Sequence, residues 1–326
     1  MAHSLQYITL DVFTARRFMG NPLAVVFLPQ DASLSQERKQ RIAREFKYSE
    51  TIFVHAVDSQ SPENRKIDIF TMTQELPFAG HPTIGAASWF LHLSSSEQSA
   101  RPSAITTKAG NIPISISEND PKIVSAHIPH NLRIHSTRWP LAELFRLHPS
   151  LEKYLDTTTF SNGFPVVSVV KGMTAVHVTL PSLEALNSVT TAVGGYVIQS
   201  SDSSTGGYLD PGWGGDGHVS VYFHVRDVWD DELQKNVIRS RMMVGNEEDP
   251  ATGSAASGLA AYLSLTEPGI NAKSDSSYCI VQGVEMGQRS EIRLRVALNG
   301  DGKEIKGIEL QGSAVKVCEG NIIVGD

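Results

Sequence analysis

Two stretches of this chain share one skeleton at a fixed offset, and any fold has to accommodate both. Glu75 to Leu91 reads ELPFAGHPTIGAASWFL, and Glu248 to Leu263 reads EDPATGSAASGLAAYL. A shift of 173 residues moves Pro77 onto Pro250, Glu75 onto Glu248, Gly80 onto Gly253, Gly85 onto Gly258 and Ala87 onto Ala260. It also places Trp89 on Tyr262 and Phe90 on Leu263. Five identities at one offset predict an internal duplication with one such stretch in each half.

Physically, the skeleton is a helix start. Pro and Gly set a turn, and the Ala-rich run beyond them, with an aromatic one turn past the second Gly, predicts a closely packed helix. The first N–H groups of a helix lack internal partners and its dipole makes that end positive, which suits a carboxylate or phosphate. Two such ends suggest one anionic ligand held between two similar halves. The glycines alone favour the plainer alternative, two helices using small residues for close packing. Polar residues at the openings shift the balance: His81 and Thr83 in the first, Asp249, Thr252 and Ser254 in the second.

With 326 residues, 40% of them hydrophobic, the chain can build two ordinary domains or one large one. Its net charge of −7 and scattered basic residues leave no footprint for nucleic acid or an anionic membrane, so an anionic ligand must be held locally. Cys279 and Cys318 are the two cysteines and have no metal spacing, which predicts a reducing compartment and no disulfide framework. The dispersed histidines, among them His130, His148 and His177, lack ligand spacing, so no metal is expected. No signal-peptide pattern or membrane-length apolar run is present, and the expectation is a soluble cytoplasmic protein.

Along the chain, Tyr7–Phe13 and Leu23–Leu28 read as strands joined through Gly20-Asn21-Pro22. Ser33 and Gln36 resemble a capping box for a helix over about Leu34–Phe46. Glu50 falls at the start of the next strand, where the residues alone predict an ordinary exposed carboxylate. Lys66–Thr71 leads into the first motif, a Ser-rich loop over Ser94–Ser103 follows it, and strands are expected at 105–107, 112–116 and 123–128. Many short strands around one central helix predict an α+β fold with mostly antiparallel pairing.

In the second half a short helix is expected at Leu141–Leu147. Gly163-Phe164-Pro165 before Val166–Val170 echoes Gly20-Asn21-Pro22 as a second shared landmark. Strands are predicted at 176–180, 196–199 and 219–225, and a helix over Leu183–Val193. The stretch 200–217, dense in Ser, Gly and Asp, lacks a phosphate-loop pattern and reads as a flexible surface insertion. Strands near 278–282, 291–297, 308–310 and 314–317 close the chain.

At DVFTARRFMGNPLAVV, YSETIF, FTMTQELPFAGHPTIGAA, EDPATGSAA and the closing QGSAVKVCEG, the sequence resembles the PhzF-like family of phenazine-biosynthesis proteins over nearly its whole length. The resemblance implies the diaminopimelate-epimerase-like fold: two pseudo-symmetric halves, each a sheet wrapped around a central helix, with substrate in the cleft between them. It implies half-domains of 1–130 plus about 305–326, and of 131–304, and a homodimer. It also implies that Glu50 is the proton-transferring carboxylate, with His81, Asp249 and Ser254 as polar site groups. FTM in place of FTP, MMVGNEED in place of a Phe-Pro-containing lead, and GQRS in place of GRPS depart from the family pattern and bear on substrate more than on fold.

The expected chemistry is therefore a cofactor-independent isomerisation. Glu50, His81 and Asp249 would be catalytic, and Gly80, Thr83, Thr252, Gly253 and Ser254 would bind a small anionic, carboxylate-bearing metabolite. A carboxylate can serve as the base if burial raises its pKa. A paired-thiol racemase would need cysteines at the helix starts, and both cysteines lie elsewhere. A Ser254 hydrolase lacks a nucleophile-elbow pattern, and a binding protein without catalysis would use the same residues.

Overall fold

The computed structural model describes residues 3–30, 34–94, 101–267 and 275–324. These divide into two compact units, Met1–Pro129 with Glu309–Asp326, and His130–Ile308.

In the first unit, strand His3–Val12 pairs antiparallel with Ala314–Val324 on one side and with Asn21–Phe27 on the other. Asn21–Phe27 runs parallel to Glu50–Val54, which pairs antiparallel with Asn64–Phe70. The sheet continues through Ala104–Thr107, Gly110–Ile116 and Val124–Ile128. Inside this curved sheet lies the helix Gly80–Ser88, every residue of it buried. On the opposite face the helix Gln36–Phe46 packs on Glu50–Val54 and Asn64–Phe70 through Ile42 and Ala43. Covered on both faces, Asn21–Phe27 and Glu50–Val54 read as continuous apolar runs instead of alternating ones.

The second unit repeats the plan. The hairpin Val166–Val170 and Met173–Thr179 is followed by a parallel step onto His218–Asp230, then by the antiparallel strand Lys235–Val244. The short strand Glu247–Asp249 leads into the helix Gly253–Thr266, and Ser276–Gln282 returns parallel to Lys235–Val244 before pairing with Ser290–Leu298. Both units thus run hairpin, parallel step, antiparallel strand, short strand (Glu75–Leu76 in the first unit), central helix and second parallel step, in that order. The helix starts fall at Gly80 and Gly253, the glycines that the repeat superposes. A Cβ on Gly85 would lie 2.3 Å from Leu23 Cδ2, and one on Gly258 would lie 3.3 Å from His177 Nε2, so the shared second glycine marks close helix-to-sheet approach in each unit.

Several sequence expectations change. Ser33 lies outside the described residues, as do 95–100 of the predicted Ser-rich loop; the first helix is capped by Ser35, whose side chain accepts from the Arg38 N–H. Leu183–Val193 is helical only over Leu183–Asn187. The echo at Gly163 is a different landmark: Val166–Val170 is the first strand of its hairpin, whereas Asn21–Phe27 is the second. Gly-x-Pro is turn chemistry that suits the start of either strand. Lys235–Val244 is a strand the sequence reading omits, because Arg239 and Arg241 interrupt its apolar pattern. The 200–217 stretch is anchored instead of loose. Leu209 is fully buried in the core, and Asp210 accepts from the backbone and hydroxyl of Ser136 at 3.0 and 2.7 Å and pairs with Arg133 at 2.5 Å.

Candidate active site

Glu50 opens its strand opposite Leu23, and His81 is the second residue of the first central helix. This brings their side chains together across 31 residues of sequence, with His81 Nδ1 2.9 Å from Glu50 Oε2. The other ring nitrogen, Nε2, lies 3.1 Å from the Asn21 carbonyl oxygen. Since that carbonyl only accepts, Nε2 carries a hydrogen and donates it. A further proton therefore lies between Nδ1 and the carboxylate. His81 is buried, while 17% of the Glu50 side chain stays exposed, which corrects the reading of Glu50 as an ordinary surface carboxylate.

The electrostatics correct a second expectation. Burial pushes the Glu50 carboxyl up, but the hydrogen bond and charge of His81 more than offset it and leave the group below its ordinary value. Glu50 is thus a carboxylate at neutral pH, ready to accept a proton.

The helix start beside it is open. Ala79 precedes it without a side-chain cap, and Pro82 has no N–H to offer, so the unpaired amides among the described residues are those of Gly80 and His81. Thr83 is fully buried and its hydroxyl donates to the Ala79 carbonyl at 2.7 Å, which ties it to the helix itself.

In the second unit Asp249 ends its short strand, and Thr252 Oγ1 donates to its Oδ2 at 2.5 Å. Gln282, fully buried, organises this turn. Its Nε2 donates to the Asp249 carbonyl at 2.7 Å and to Thr252 Oγ1 at 3.1 Å; its Oε1 accepts from the Thr252 N–H at 3.2 Å and from the Tyr222 hydroxyl at 3.0 Å. With its other neighbour donating, the Thr252 hydroxyl hydrogen is committed to Asp249. Thr252 thereby orients the carboxylate, and Gln282 is a site residue that sequence reasoning missed, since its partners lie 30 to 60 positions away.

Here too the helix start lacks a side-chain cap, and the amides of Gly253, Ser254 and Ala255 have no partner among the described residues. Ser254 is half-buried, with no hydrogen-bond partner for its hydroxyl among those residues. Both nitrogens of His81 are spent on Glu50 and Asn21, so His81 is not placed to be the base of a Ser254 nucleophile. Among the described residues, no group of three or more His, Cys, Asp or Glu is disposed to hold a metal, and no helix is long and apolar enough to cross a membrane.

A twice-built sheet around a buried, uncapped helix, with a carboxylate and a histidine sharing a proton at one helix start, is an α+β fold of the diaminopimelate-epimerase-like class. The chain belongs to the phenazine biosynthesis-like protein family, whose model matches residues 10–320. An uncharacterized isomerase of Mesorhizobium japonicum is 32% identical, covering 98% of each chain. A trans-2,3-dihydro-3-hydroxyanthranilate isomerase of Pseudomonas aeruginosa is 29% identical over 97% of this chain and 98% of its own. A solved phenazine biosynthesis protein of the PhzF family from Bacillus anthracis superposes with a TM-score of 0.73 at 21% identity, covering 99% of this chain and all of that one.

Proposed function

We propose that this isomerase moves a proton between two carbons of a small, carboxylate-bearing cyclic metabolite without a cofactor. Glu50 takes the proton from one carbon, holds it as the carboxylic acid and returns it to another carbon on the same face, and His81 stabilises the carboxylate form of Glu50 before the first transfer and after the second. The open amides of Gly80 and His81, at the same helix start, bind the substrate's carboxylate; those of Gly253, Ser254 and Ala255, with Asp249 beside them, form a helix start of the same kind in the second unit. The dipole of a helix end contributes only about 0.3–2 kcal/mol. A well-placed donor to a developing oxyanion is worth roughly 2.7–4 kcal/mol, so amide geometry matters more than the dipole.

The observation that carries this reading is the 2.9 Å contact between Glu50 and His81 at the start of the buried helix, in a family whose relatives are named isomerases. The name of the Pseudomonas aeruginosa relative supplies the probe, trans-2,3-dihydro-3-hydroxyanthranilate. Incubated with the protein in deuterated water, it should gain deuterium at carbon, and Glu50→Gln should slow that gain by about 100-fold or more, the usual worth of a positioned acid–base group. Exchange at an undiminished rate in Glu50→Gln would remove Glu50 from the chemistry. Binding without exchange by the wild-type protein would reduce the site to an anion-binding one.

A further inference from the structure

The Gly20-Asn21-Pro22 turn is positioned as part of the proton-transfer apparatus, a role distinct from its place in the hairpin. Asn21 is buried and makes two contacts toward the dyad: its carbonyl oxygen lies 3.1 Å from His81 Nε2, and its side-chain Oδ1 accepts from the hydroxyl of Ser49, the residue before Glu50, at 3.3 Å. The carbonyl belongs to the amide joining Asn21 to Pro22, which has no N–H and whose φ is locked. On the other side Gly20 has φ +73°, and a Cβ there would lie 2.3 Å from the Val12 carbonyl oxygen and 2.6 Å from Thr14 Cγ2. Only glycine fits, so the peptide carrying the acceptor has little freedom to turn.

We propose that Asn21 is a positioning residue for proton transfer, its backbone carbonyl holding His81 in the Nε2–H form so that Nδ1 alone exchanges a proton with Glu50. This rests on the assignment of Glu50 as the proton carrier. With Nε2–H fixed, removing the proton on the Nδ1–Oε2 line would leave a ring lone pair facing a carboxylate. That juxtaposition is repulsive, so the dyad retains the proton. Were the anchor absent, a neutral ring could place its hydrogen on Nδ1 and satisfy Glu50 with one proton fewer. The turn therefore sets how many protons the dyad stores. Glu50 and His81 are the titratable groups in this contact, and Ser49 and Asn21 supply neutral ones. Tyr48, the next residue back, is pushed up by burial, with Cys318, Asp11 and Tyr7 adding to the shift, and none of these is a member of the dyad.

The test is nitrogen NMR of ring-labelled histidine in the intact protein, read across pH beside the deuterium-exchange rate. Wild type should show His81 with Nε2 protonated throughout. Glu50→Gln should keep that tautomer while losing exchange, because Asn21 holds the ring. Gly20→Ala, which displaces the carbonyl, should lose the single tautomer and shift the alkaline limb of the exchange profile down by about one pH unit. Should Gly20→Ala fail to fold, wild type and Glu50→Gln decide the matter alone. A bare Nε2 in wild type, or a tautomer that switches in Glu50→Gln, overturns the proposal. A fixed Nε2–H with no deuterium exchange in wild type would instead overturn the isomerisation reading and leave the anchor standing.

Discussion

The guanidinium of Arg241 grips the carboxylate of Glu248 through two parallel hydrogen bonds of 2.8 Å, Nε to one oxygen and Nη2 to the other. Its remaining nitrogen donates to the carbonyls of Leu186 and Val189 at 3.0 and 2.7 Å. Glu248 is the glutamate that the repeat superposes on Glu75, and it directly precedes Asp249. Arg241 and Glu248 are 9% and 15% exposed, so removing either leaves an uncompensated buried charge. Arg241→Met should cost about 3–5 kcal/mol in denaturant unfolding of the second unit. The equivalent Glu75, itself only 7% exposed, pairs with Lys108, whose side chain is 58% exposed; water can take the place of so exposed a partner, so Lys108→Ala should cost less than Arg241→Met. Equal losses at the two positions would contradict this account.

The shared second glycine is expected to matter unequally. Alanine is the better helix former by about 1 kcal/mol. At Gly85, however, the added methyl would overlap Leu23 at 2.3 Å, within a helix buried on all sides. Gly85→Ala should destabilise by about 1–3 kcal/mol. At Gly258 the nearest atom is 3.3 Å away, on a side chain, and the substitution should stay within about 1 kcal/mol of wild type. Thermal unfolding of the two variants checks the contrast, and a stabilised Gly85→Ala would refute it.

Local chemistry made much of this molecule legible beforehand. Pro77, Gly80, Pro250 and Gly253 mark helix starts through constraints carried in a few neighbouring residues, and the structure begins both helices where the repeat places them. What could not be read locally depends on partners distant in sequence. Glu50 looks ordinary until His81 arrives 31 residues later, and only family resemblance singled it out. Arg239 and Arg241 made a central strand look like a loop, because Glu285 and Glu248, which neutralise them, lie in other elements. Gln282 carries no motif of its own, and its meaning lies in three contacting residues on other segments.

Gln282 offers a test of directionality. Gln282→Glu replaces Nε2, a donor to the Asp249 carbonyl and to Thr252 Oγ1, with an oxygen, setting acceptors against each other in a buried place. The loss should be about 2–3 kcal/mol of stability, typical of an unsatisfied buried polar group. The Thr252 hydroxyl would also be free to turn from Asp249. Gln282→Glu should therefore weaken trans-2,3-dihydro-3-hydroxyanthranilate binding even at pH values where the protein stays folded. A variant that folds and binds like wild type would show that the turn holds Asp249 without Gln282.

Acid should open the second unit before the first. His148, His177 and His224 are all buried in the second unit, and burial lowers them to about 4, about 3 and about 4; the nearby His224 reinforces the shift at His177, and Arg226 that at His224. Unfolded, each titrates near 6.5, so between 6.5 and the folded value the unfolded chain binds more protons than the native one. Stability is then complete above pH 6.5 and falls as pH drops toward 4, by on the order of 3 kcal/mol per histidine at 1.36 kcal/mol per unit. In the first unit Asp68 behaves as a depressed carboxylate: burial raises it, but hydrogen bonds from His55 and Lys39 bring it to about 2. Its contribution survives until pH falls below about 4, the ordinary carboxylate range, and is lost toward 2. Amide hydrogen exchange followed from pH 7 to 4 should show protection lost first on His218–Asp230 and Met173–Thr179, with Asn64–Phe70 still protected. His177→Phe, which removes one titrating ring, should flatten the slope for the second unit. Simultaneous loss in both units, or an unchanged slope in His177→Phe, would locate the acid sensitivity elsewhere.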